Sequence, residues 1–553
     1  MSYSTSWRPE CPGRENFDVL ILGCFDSRLA EYNAFYEELE KGLEFGLSCL
    51  GRGIGLQSLD DIGRGNSDHL SISYPLQLVP FILGSCFKRR GIPFTIVTGT
   101  TFDSFLDDEA CANLRQKRYS HVLFTTSFIQ SFTRLEHISG RLRKIFPEAV
   151  LAAGGQLLNH HRKIPECPGI DFFVLGDGEE VAADLVENPA KYPAFHGKRS
   201  GIVIEAPEKD LNDYAPVDWR LFWDCIGPAE RESFRREYNF PMETVRGCFY
   251  RCAFCSRGTL QGHPRLKSAE RLFGEIRAMQ DCGITRIGIW DSNFTTPPSR
   301  LKELCRRMIA TRRGPSPAIQ SYARLSDLDG EMLELLTGAG WQLLYIGIES
   351  GSDAVLDKMQ KGFLRAMLLE KLELLSKYRP ALTIFPSFLV GFPGENPRSL
   401  AETWDIIKRQ QFPYINIQPL DVRRGSALFR EPEKYALRFE MAPRETISYD
   451  WEHATMNYRT ATEAALDLVC RVALETGSIL LENLGGVTSF ALHFPPFDNP
   501  RNAQLLSALQ QIMALGILGR KGTLRKREMN TRCSILWDRL ESLLEKKLGI
   551  QST

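Results

Sequence analysis

The feature that most constrains the fold is an alternation of short apolar runs with amphipathic stretches, repeated in two separate series. The first series spans residues 1–185. Apolar runs of this length, with helical stretches between them, are typical of parallel strands covered on both faces. Ligands of such a sheet bind at the carboxyl ends of its strands. The runs are FDVLILG (17–23), FTIVT (94–98), HVLFTTS (121–127), AVLAAGG (149–155) and DFFVLGDGE (171–179).

The second series spans residues 242–430 and predicts about six further strands with helices between them. Six βα units indicate an incomplete (β/α)6 barrel, with its chemistry at the C-terminal strand ends. Residues 186–241 lack clear periodicity and are predicted to connect the two units, and residues 431–553 are predicted to form a helical domain covering the active site. The runs are METVRG, TRIGIWD (285–291), AIQSYAR (318–324), LLYIGIES (343–350), LTIFPSFLVGFPGE (382–395) and YINIQPL (414–420).

Length and charge narrow the class of protein. A chain of 553 residues is too long for one core. Basic and acidic residues number 68 each, which argues against nucleic acid as a partner. No run approaches the ~18 apolar residues of a membrane helix, and the first residues lack the apolar core of a signal peptide. We therefore expect a cytoplasmic protein with no membrane partner.

Only one group of the 14 cysteines is spaced like a set of ligands. The segment RGCFYRCAFCSRG places Cys248, Cys252 and Cys255 in a CxxxCxxC pattern directly after the first strand of the second series. Three thiolates on one loop can hold three irons of a [4Fe–4S] cluster and leave the fourth iron open. Most other cysteines stand singly in apolar surroundings, as buried free thiols do.

A structural zinc site is the alternative interpretation of these cysteines. Zinc normally takes four ligands, and no second CxxC or HxxxH lies nearby, although His263 could complete a set. The aromatic Phe254 and the flanking glycines also suit a cluster loop. The sequence therefore favours the iron–sulfur interpretation.

With these motifs in order, the region 242–430 resembles the radical S-adenosylmethionine (SAM) superfamily. The resemblance implies that the three cysteines hold the cluster, that SAM chelates the open iron, and that Phe254 packs beside its adenine. Arg324 resembles an arginine that grips the SAM carboxylate with two hydrogen bonds. IWDSN (289–293) stands where the family usually has Gly-Gly-Glu. The residues implied to bind SAM are Phe254, Ser292, Arg324, Glu349, Ser350 and Gly391.

The first series resembles the cobalamin-binding domain that precedes many radical SAM cores. The resemblance rests on YPLQLVPFIL (74–83), TTSF (125–128), AAGGQLL (152–158) and VLGDGEE (174–180). A GxGxxG motif is absent, which counts against a dinucleotide site. No DxHxxG histidine follows the first strand, so the lower cobalt ligand is unassigned. The residues implied to bind cobalamin are Tyr74, Thr126, Ser127, Gly154, Gly155, Gly176 and Gly178.

Together the resemblances imply an α/β protein with an N-terminal Rossmann-like cobalamin domain, a central partial radical SAM barrel and a helix-rich C-terminal domain. They imply a methyltransferase in which methylcobalamin methylates an unactivated carbon of a small-molecule or natural-product substrate. An external donor of the flavodoxin or ferredoxin type would supply electrons.

Other functions fit the same motifs. An enzyme with the same domains and cofactors could instead catalyse a non-methylating ring rearrangement or cyclisation, or a polar methylation of an sp2 carbon or of phosphorus. A methylthiotransferase would need a second set of cysteines in the first domain, for which Cys24, Cys49, Cys86 and Cys111 are a source. A non-enzymatic cobalamin carrier or light sensor would leave the cysteine loop without a use.

Overall fold

The first unit is a parallel sheet covered by helices. In the computed structural model its strand order is β1-β3-β2-β4-β5-β6-β7, and only β1 is antiparallel to its neighbour. The model describes residues 4–7, 18–25, 34–48, 77–107, 111–161, 164–188, 191–192, 201–226, 228, 231–260, 263–312, 314–480 and 500–548. The strands are β1 Ser4–Trp7, β2 Val19–Phe25, β3 Phe94–Thr101, β4 His121–Thr125, β5 Val150–Gly154, β6 Phe172–Leu175 and β7 Ile202–Glu205.

The central strands of this sheet form because their apolar runs are buried on both faces. Every residue of β3 and of β4 is buried, as expected for parallel strands between two helical layers. The strand order reverses between β2 and β4, and ligands of open sheets bind at such a point. The helices of this part are α1 Ala34–Ser48, α2 Leu78–Arg90, α3 Phe102–Asp107, α4 Ala112–Arg115, α5 Phe132–Ile145, α6 Gln156–Asn159, α7 Gly178–Glu187, α8 Arg220–Asp224 and α9 Arg231–Glu237.

The second unit is an open barrel sheet of parallel strands, ordered β20-β15-β14-β13-β12-β11-β8. Each strand pairs in parallel with its neighbours. A short antiparallel ribbon, β9–β10, extends from the first strand toward the cysteine loop. The strands of this unit are β8 Phe240–Met242, β9 Val245–Arg246, β10 Arg265–Leu266, β11 Arg286–Ile289, β12 Ala318–Ala323, β13 Trp341–Glu349, β14 Thr383–Val390, β15 Tyr414–Pro419 and β16 Val422–Arg423.

Amphipathic helices with well-formed ends cover the outside of this sheet. Ser268 caps the helix that begins at Ala269, and Asn396 forms a reciprocal capping box with Ser399. The helices are α10 Arg257–Leu260, α11 Ala269–Asp281, α12 Pro298–Ala310, α13 Gly330–Ala339, α14 Asp353–Lys358, α15 Arg365–Ser376, α16 Pro397–Gln410 and α17 Ala427–Arg430, with a 3₁₀ turn at Leu325–Asp327.

The C-terminal part contains three long helices and two small antiparallel ribbons. Helix α18 packs on β14 and β15, and helix α19 packs on helix α1 of the first unit. Among the described residues no helix is long and apolar enough to cross a membrane. The elements are a 3₁₀ turn Pro432–Tyr435, β17 Arg438–Glu440, β18 Ile447–Ser448, β19 Asp450–Glu452, α18 Tyr458–Glu475, β20 Ile479–Leu480, α19 Pro500–Arg520 and α20 Lys526–Leu548.

The predicted fold class is confirmed, and the element boundaries differ in three places. Strand β7 lies within the predicted connecting segment and pairs with β6, so the first sheet extends past residue 185. The first barrel strand is β8, and it begins before residue 242. Strand β20 belongs to the C-terminal region yet extends the barrel sheet. These three strands are short, and β7 has alternating exposure, so none forms a long apolar run.

Candidate functional site

The cysteine loop follows β9 and is fixed by backbone hydrogen bonds to two other segments. The Ala253 N–H donates to Met359 O at 2.9 Å, and Ala253 O accepts the Leu428 N–H at 3.1 Å. Within the loop, the Cys255 N–H donates to Cys252 O at 3.0 Å. The loop is therefore held between the chain after α14 and the start of α17.

The three thiols of this loop are half-buried and close enough to influence one another. Burial raises the pKa of the Cys248 thiol, and the charges of Cys255 and Cys252 raise it further. Within the described chain, no three His, Cys, Asp or Glu side chains meet around a point that suits one metal ion. Three separate thiolates from one loop are the donor set of a [4Fe–4S] cluster, whose ligands bind different irons. The residues fit that group.

Arg324 lies beside the cysteine loop at the end of β12. Its Nη1 is 3.8 Å from Cys252 Sγ, and its guanidinium stacks 3.6 Å from the ring centroid of Tyr250. Its Nη2 donates to Lys361 O, and its Nε donates to Ser326 Oγ at 3.0 Å. The predicted SAM contact is thus next to the cluster loop, in a fixed orientation.

Asp291 and Ser292, at the end of β11, support the same loop. Asp291 accepts hydrogen bonds from the Thr244 N–H at 2.7 Å and the Val245 N–H at 3.1 Å. Burial raises the pKa of Asp291 to about 7, although the bonds from Thr244 oppose the rise. Ser292 accepts a bond from Arg257 Nη1 at 3.2 Å. Asp291 therefore fixes the strand that enters the loop, and Ser292 lies against the helix that leaves it.

Glu349 and Phe254 meet through Lys361, a residue that the sequence analysis did not identify. Lys361 is 6% exposed, and its Nζ lies 3.7 Å from Glu349 Oε1 and 5.8 Å from the centroid of the Phe254 ring. Burial raises the pKa of Glu349, and the Lys361 ammonium opposes the rise. Glu349 adopts a left-handed φ of 70°, a conformation that costs free energy in a non-glycine residue.

Ser350 and Gly391, both predicted to bind SAM, have contacts within the protein. Ser350 is fully buried, and its Oγ lies 3.4 Å from Thr403 Oγ1. The Gly391 N–H donates to Glu395 Oε2 at 2.5 Å, and its carbonyl accepts from His453 Nε2 at 3.0 Å. These contacts join the loops that follow β13 and β14 to neighbouring segments of the protein.

A cavity of about 280 Å³ opens over the carboxyl ends of the barrel strands. It contains Phe254, Cys255 and Glu349 from the predicted set. The opposite wall comes from the first domain. Among the described residues of the 431–553 region none lines this cavity, and the cover of the active site by that region stays a prediction. The first-domain residues of the lining are Gln156, Asn159 and His160.

Aromatic rings form one side of this cavity. Tyr322 and Tyr345 have ring centroids 5.2 Å apart, and Tyr345 and Phe385 have centroids 5.1 Å apart. Tyr345 donates its hydroxyl to Gln320 Oε1 at 3.2 Å. Polar side chains from the last strands complete the wall, namely Asn416, Gln418, Asp421 and Arg423.

A second cavity, of about 380 Å³, lies at the carboxyl ends of the first sheet. Its floor is apolar, with Leu22 and Phe124 on either side of the strand-order reversal. Helix α6 separates the two cavities, because Gln156 and Asn159 line both. The predicted cobalamin residues that line this second cavity are Ser127, Gly154, Gly155, Gly176 and Gly178.

Two of these glycines are required by the protein's own backbone. Gly155 has a φ of 116°, and a Cβ there would lie 3.0 Å from Thr126 N. Gly176 has a φ of 82°, and a Cβ there would lie 2.9 Å from Ala206 O. Gly154 and Gly178 have room, since their nearest contacts would be 3.5 Å and 3.7 Å. The last two leave space at the cavity for a large ligand.

Two cobalamin predictions, Thr126 and Tyr74, remain. Thr126 is fully buried and donates its hydroxyl to Gly154 O at 3.0 Å, so it joins β4 to β5. Tyr74 lies outside the described residues. His160 borders the barrel cavity, with its Nδ1 3.1 Å from Arg424 O. Neither His160 nor Lys361 belongs to a spaced motif, so sequence reasoning had little signal for them.

Comparison with known proteins identifies the central part of the chain. Residues 242–407 match the model of the Radical SAM superfamily. This part of the chain is therefore a radical SAM domain.

Solved structures match the whole architecture. The radical SAM methyltransferase TsrM from Kitasatospora setae, bound to tryptophan and a SAM analog, has a TM-score of 0.57 at 15% identity. That match covers 82% of this chain and 96% of that one. The cobalamin-dependent SAM radical enzyme OxsB, with aqua-cobalamin and SAM bound, has a TM-score of 0.55 at 13% identity. It covers 98% of this chain and 82% of OxsB. The three-part fold of this chain is thus similar to the folds of TsrM and OxsB.

Curated relatives match a smaller part of the chain than the solved structures do. A tRNA-2-methylthio-N(6)-dimethylallyladenosine synthase of Sulfurihydrogenibium sp. is 25% identical over 34% of this chain and 44% of its own length. An uncharacterized methyltransferase of Pyrococcus horikoshii is 26% identical over 45% of this chain and 55% of its own length. The chain therefore spans about half the length of these relatives.

Proposed function

We propose that the chain is a cobalamin-dependent radical SAM methyltransferase acting on a small-molecule or natural-product substrate. The observation that carries this proposal is the shared wall of the two cavities. Gln156 and Asn159 line both the cavity that contains Cys255 and the cavity at the carboxyl ends of the first sheet. A SAM site and a corrin site so placed would adjoin each other and one substrate.

Each cofactor has candidate residues. Cys248, Cys252 and Cys255 would hold the cluster, and Gly154 and Gly178 would border the corrin. When bound, the [4Fe–4S] cluster supplies the electron that cleaves SAM, and cobalamin supplies the methyl group. An external donor of the flavodoxin or ferredoxin type would reduce the cluster.

The protein's own residues bind and orient SAM in this proposal. Arg324 offers a fixed cationic fork beside Cys252, which suits the carboxylate of SAM. Glu349 lies in the cavity wall with Phe254 and is a candidate hydrogen-bond acceptor for SAM hydroxyl groups. The apolar rings of Tyr322 and Phe385 exclude water from the place where a reactive radical would form.

The barrel cavity favours a small substrate. Rings on one side and amide and charged groups on the other suit a compact molecule with both apolar and polar parts. The TsrM structure contains tryptophan, a ligand of that kind.

The test uses SAM with an isotopically labelled methyl group. Anaerobic protein carrying cluster and cobalamin is incubated with a reductant and candidate small molecules, and products are analysed by mass spectrometry. Labelled product together with 5′-deoxyadenosine supports methylation of an unactivated carbon. Labelled product without 5′-deoxyadenosine indicates polar methylation, and 5′-deoxyadenosine with unlabelled product indicates rearrangement or cyclisation. Cys252→Ala is the control and is expected to form neither compound.

Methylthiotransfer is a second candidate function, because several curated relatives are methylthiotransferases. A second cluster would need ligands in the first domain. The described cysteines there are buried, and Cys86 and Cys167 already contact Glu179 O at 3.5 Å and Ser139 Oγ at 3.4 Å. Burial raises the pKa of Cys24, which disfavours its thiolate. A product that gains sulfur as well as carbon would favour this function over methylation.

A further inference from the structure

A buried group of charges joins the cavity of the first sheet to the strand that enters the cysteine loop. Arg246 ends β9, two positions before Cys248. Its Nη1 lies 2.7 Å from Asp177 Oδ1, and its Nε lies 2.9 Å from Glu243 Oε1. It also pairs with Glu179. One guanidinium therefore contacts three carboxylates from two domains.

The pairing of β9 with β10 makes this arrangement unusual. Arg246 stands directly opposite Arg265 across the ribbon. Like charges in such a pair repel unless something compensates them. Asp177 provides the compensation, because it also pairs with Arg265, with 2.9 Å between Arg265 Nη2 and Asp177 Oδ1. Tyr214 donates a further bond to Asp177 at 2.7 Å.

The same carboxylates belong to the predicted cobalamin loop. Asp177 and Glu179 lie within VLGDGEE, and the Asp177 side chain is only 4% exposed. The five charged residues of this group all line the second cavity. Three carboxylates face two guanidinium groups, so acceptor capacity remains for a ligand rich in amide N–H donors, such as the amide side chains of a corrin. The residues are Asp177, Glu179, Glu243, Arg246 and Arg265.

We propose that Arg246 is a positioning residue that couples cobalamin binding to the conformation of the cluster loop. This inference rests on the proposed function. A ligand that engages Glu179 or Glu243 changes the partners of Arg246, and Arg246 fixes the strand that places Cys248. Coupling of this kind is reciprocal. We expect the coupling to be favourable, so that cobalamin binds more tightly when the cluster is present and the cluster is held more tightly when cobalamin is bound.

The experiment measures the Kd of hydroxocobalamin by equilibrium dialysis, under anaerobic conditions, for the full chain with and without reconstituted cluster. In the wild type the cluster is expected to tighten binding by about 5-fold or more, the usual scale of coupling between sites. In Arg246→Gln the two Kd values are expected to agree within about 2-fold. As the reciprocal readout, cobalamin should slow iron loss to a chelator in the wild type and leave it unchanged in the variant.

The matched control is Arg90→Gln, which removes the ion pair between Arg90 and Glu187. Glu187 lies at the end of helix α7 opposite Glu179, and neither Arg90 nor Glu187 lines either cavity. A purely structural role for buried charges predicts that both variants keep the coupling. Cobalamin binding without coupling in the wild type, or coupling retained in Arg246→Gln, overturns this inference alone. No cobalamin binding in either state of the wild type overturns the proposed function. If Arg246→Gln does not fold, Glu179→Gln replaces it and is expected to reduce the coupling.

Discussion

Arg324 holds a guanidinium nitrogen 3.8 Å from the sulfur of Cys252. Stacking on Tyr250 and a bond to Lys361 O fix its orientation. A permanent positive charge therefore lies beside one of the three thiols that would bind the cluster. Such a charge favours the electron-rich form of a redox centre, because added negative charge interacts favourably with it.

Arg324→Met is expected to make the reduction potential of the reconstituted cluster more negative. The reduced cluster loses stabilisation on the order of 1 kcal/mol, which is the interaction energy of two unit charges about 4 Å apart in a high dielectric. A redox titration followed by electron paramagnetic resonance measures it. Arg324→Lys keeps the charge and is expected to stay near the wild-type potential. Equal potentials for the methionine variant and the wild type, at equal iron content, would contradict the placement of the Arg324 charge beside the cluster.

The glycines of the second cavity divide into two kinds, and alanine substitutions should separate them. Gly155→Ala places a Cβ 3.0 Å from Ser127 Oγ at a φ of 116°. We expect it to lower the free energy of unfolding by about 1–3 kcal/mol. Gly178→Ala meets only Val174 Cγ1 at 3.7 Å, and a change within about 0.5 kcal/mol is expected. Denaturant unfolding of the two variants measures the difference, and equal losses would refute it.

The buried carboxyl of Glu395 makes stability depend on pH. Burial raises its pKa from the ordinary glutamate value of 4.5 to about 8, so the folded protein holds this proton more tightly than the unfolded chain. Its stabilising contribution is fully present below pH 4.5 and is lost as pH rises through about 8. Glu395→Gln cannot ionise, so the wild type should lose stability relative to it between pH 5 and 9, by about 1–4 kcal/mol. Urea unfolding at several pH values tests this, and parallel curves would contradict it.

The strands could be predicted from the sequence because a parallel strand buried on both faces leaves a continuous apolar run. β3 and β4 show this directly. The edge strand β7 was not predicted, since its residues alternate between exposed and half-buried positions. Only its hydrogen bonds to β6, remote in sequence, make it a strand.

In the site, too, features that are local in sequence could be predicted, and contacts between remote segments could not. Cys248, Cys252 and Cys255 could be predicted because their spacing is local. Lys361 could not, since its contact with Glu349 depends on the end of β13 lying against the turn after α14. The motif of Ser350 predicts a contact with SAM, whereas the closeness of its hydroxyl to Thr403, 53 residues away, could not be predicted from the sequence.

The aromatic wall of the barrel cavity should affect turnover without affecting the cluster. Tyr322 is 38% exposed and faces this cavity. We expect Tyr322→Ala to lower kcat/KM about 10-fold or more, the loss of roughly 1.4 kcal/mol of binding to the transition state. Iron content and melting temperature should stay as in the wild type. Ile309→Ala, an exposed apolar change remote from the cavity lining, is the control and should leave kcat/KM unchanged.

The most direct test of the central claim is the cofactor content of anaerobically reconstituted protein. We expect about four irons and one cobalamin per chain, with the absorption bands of both groups. A variant with Cys248, Cys252 and Cys255 all changed to alanine should lose the iron and still bind cobalamin. Wild-type protein with no cluster iron, or a triple variant that keeps its iron, would show that these cysteines do not hold a [4Fe–4S] cluster.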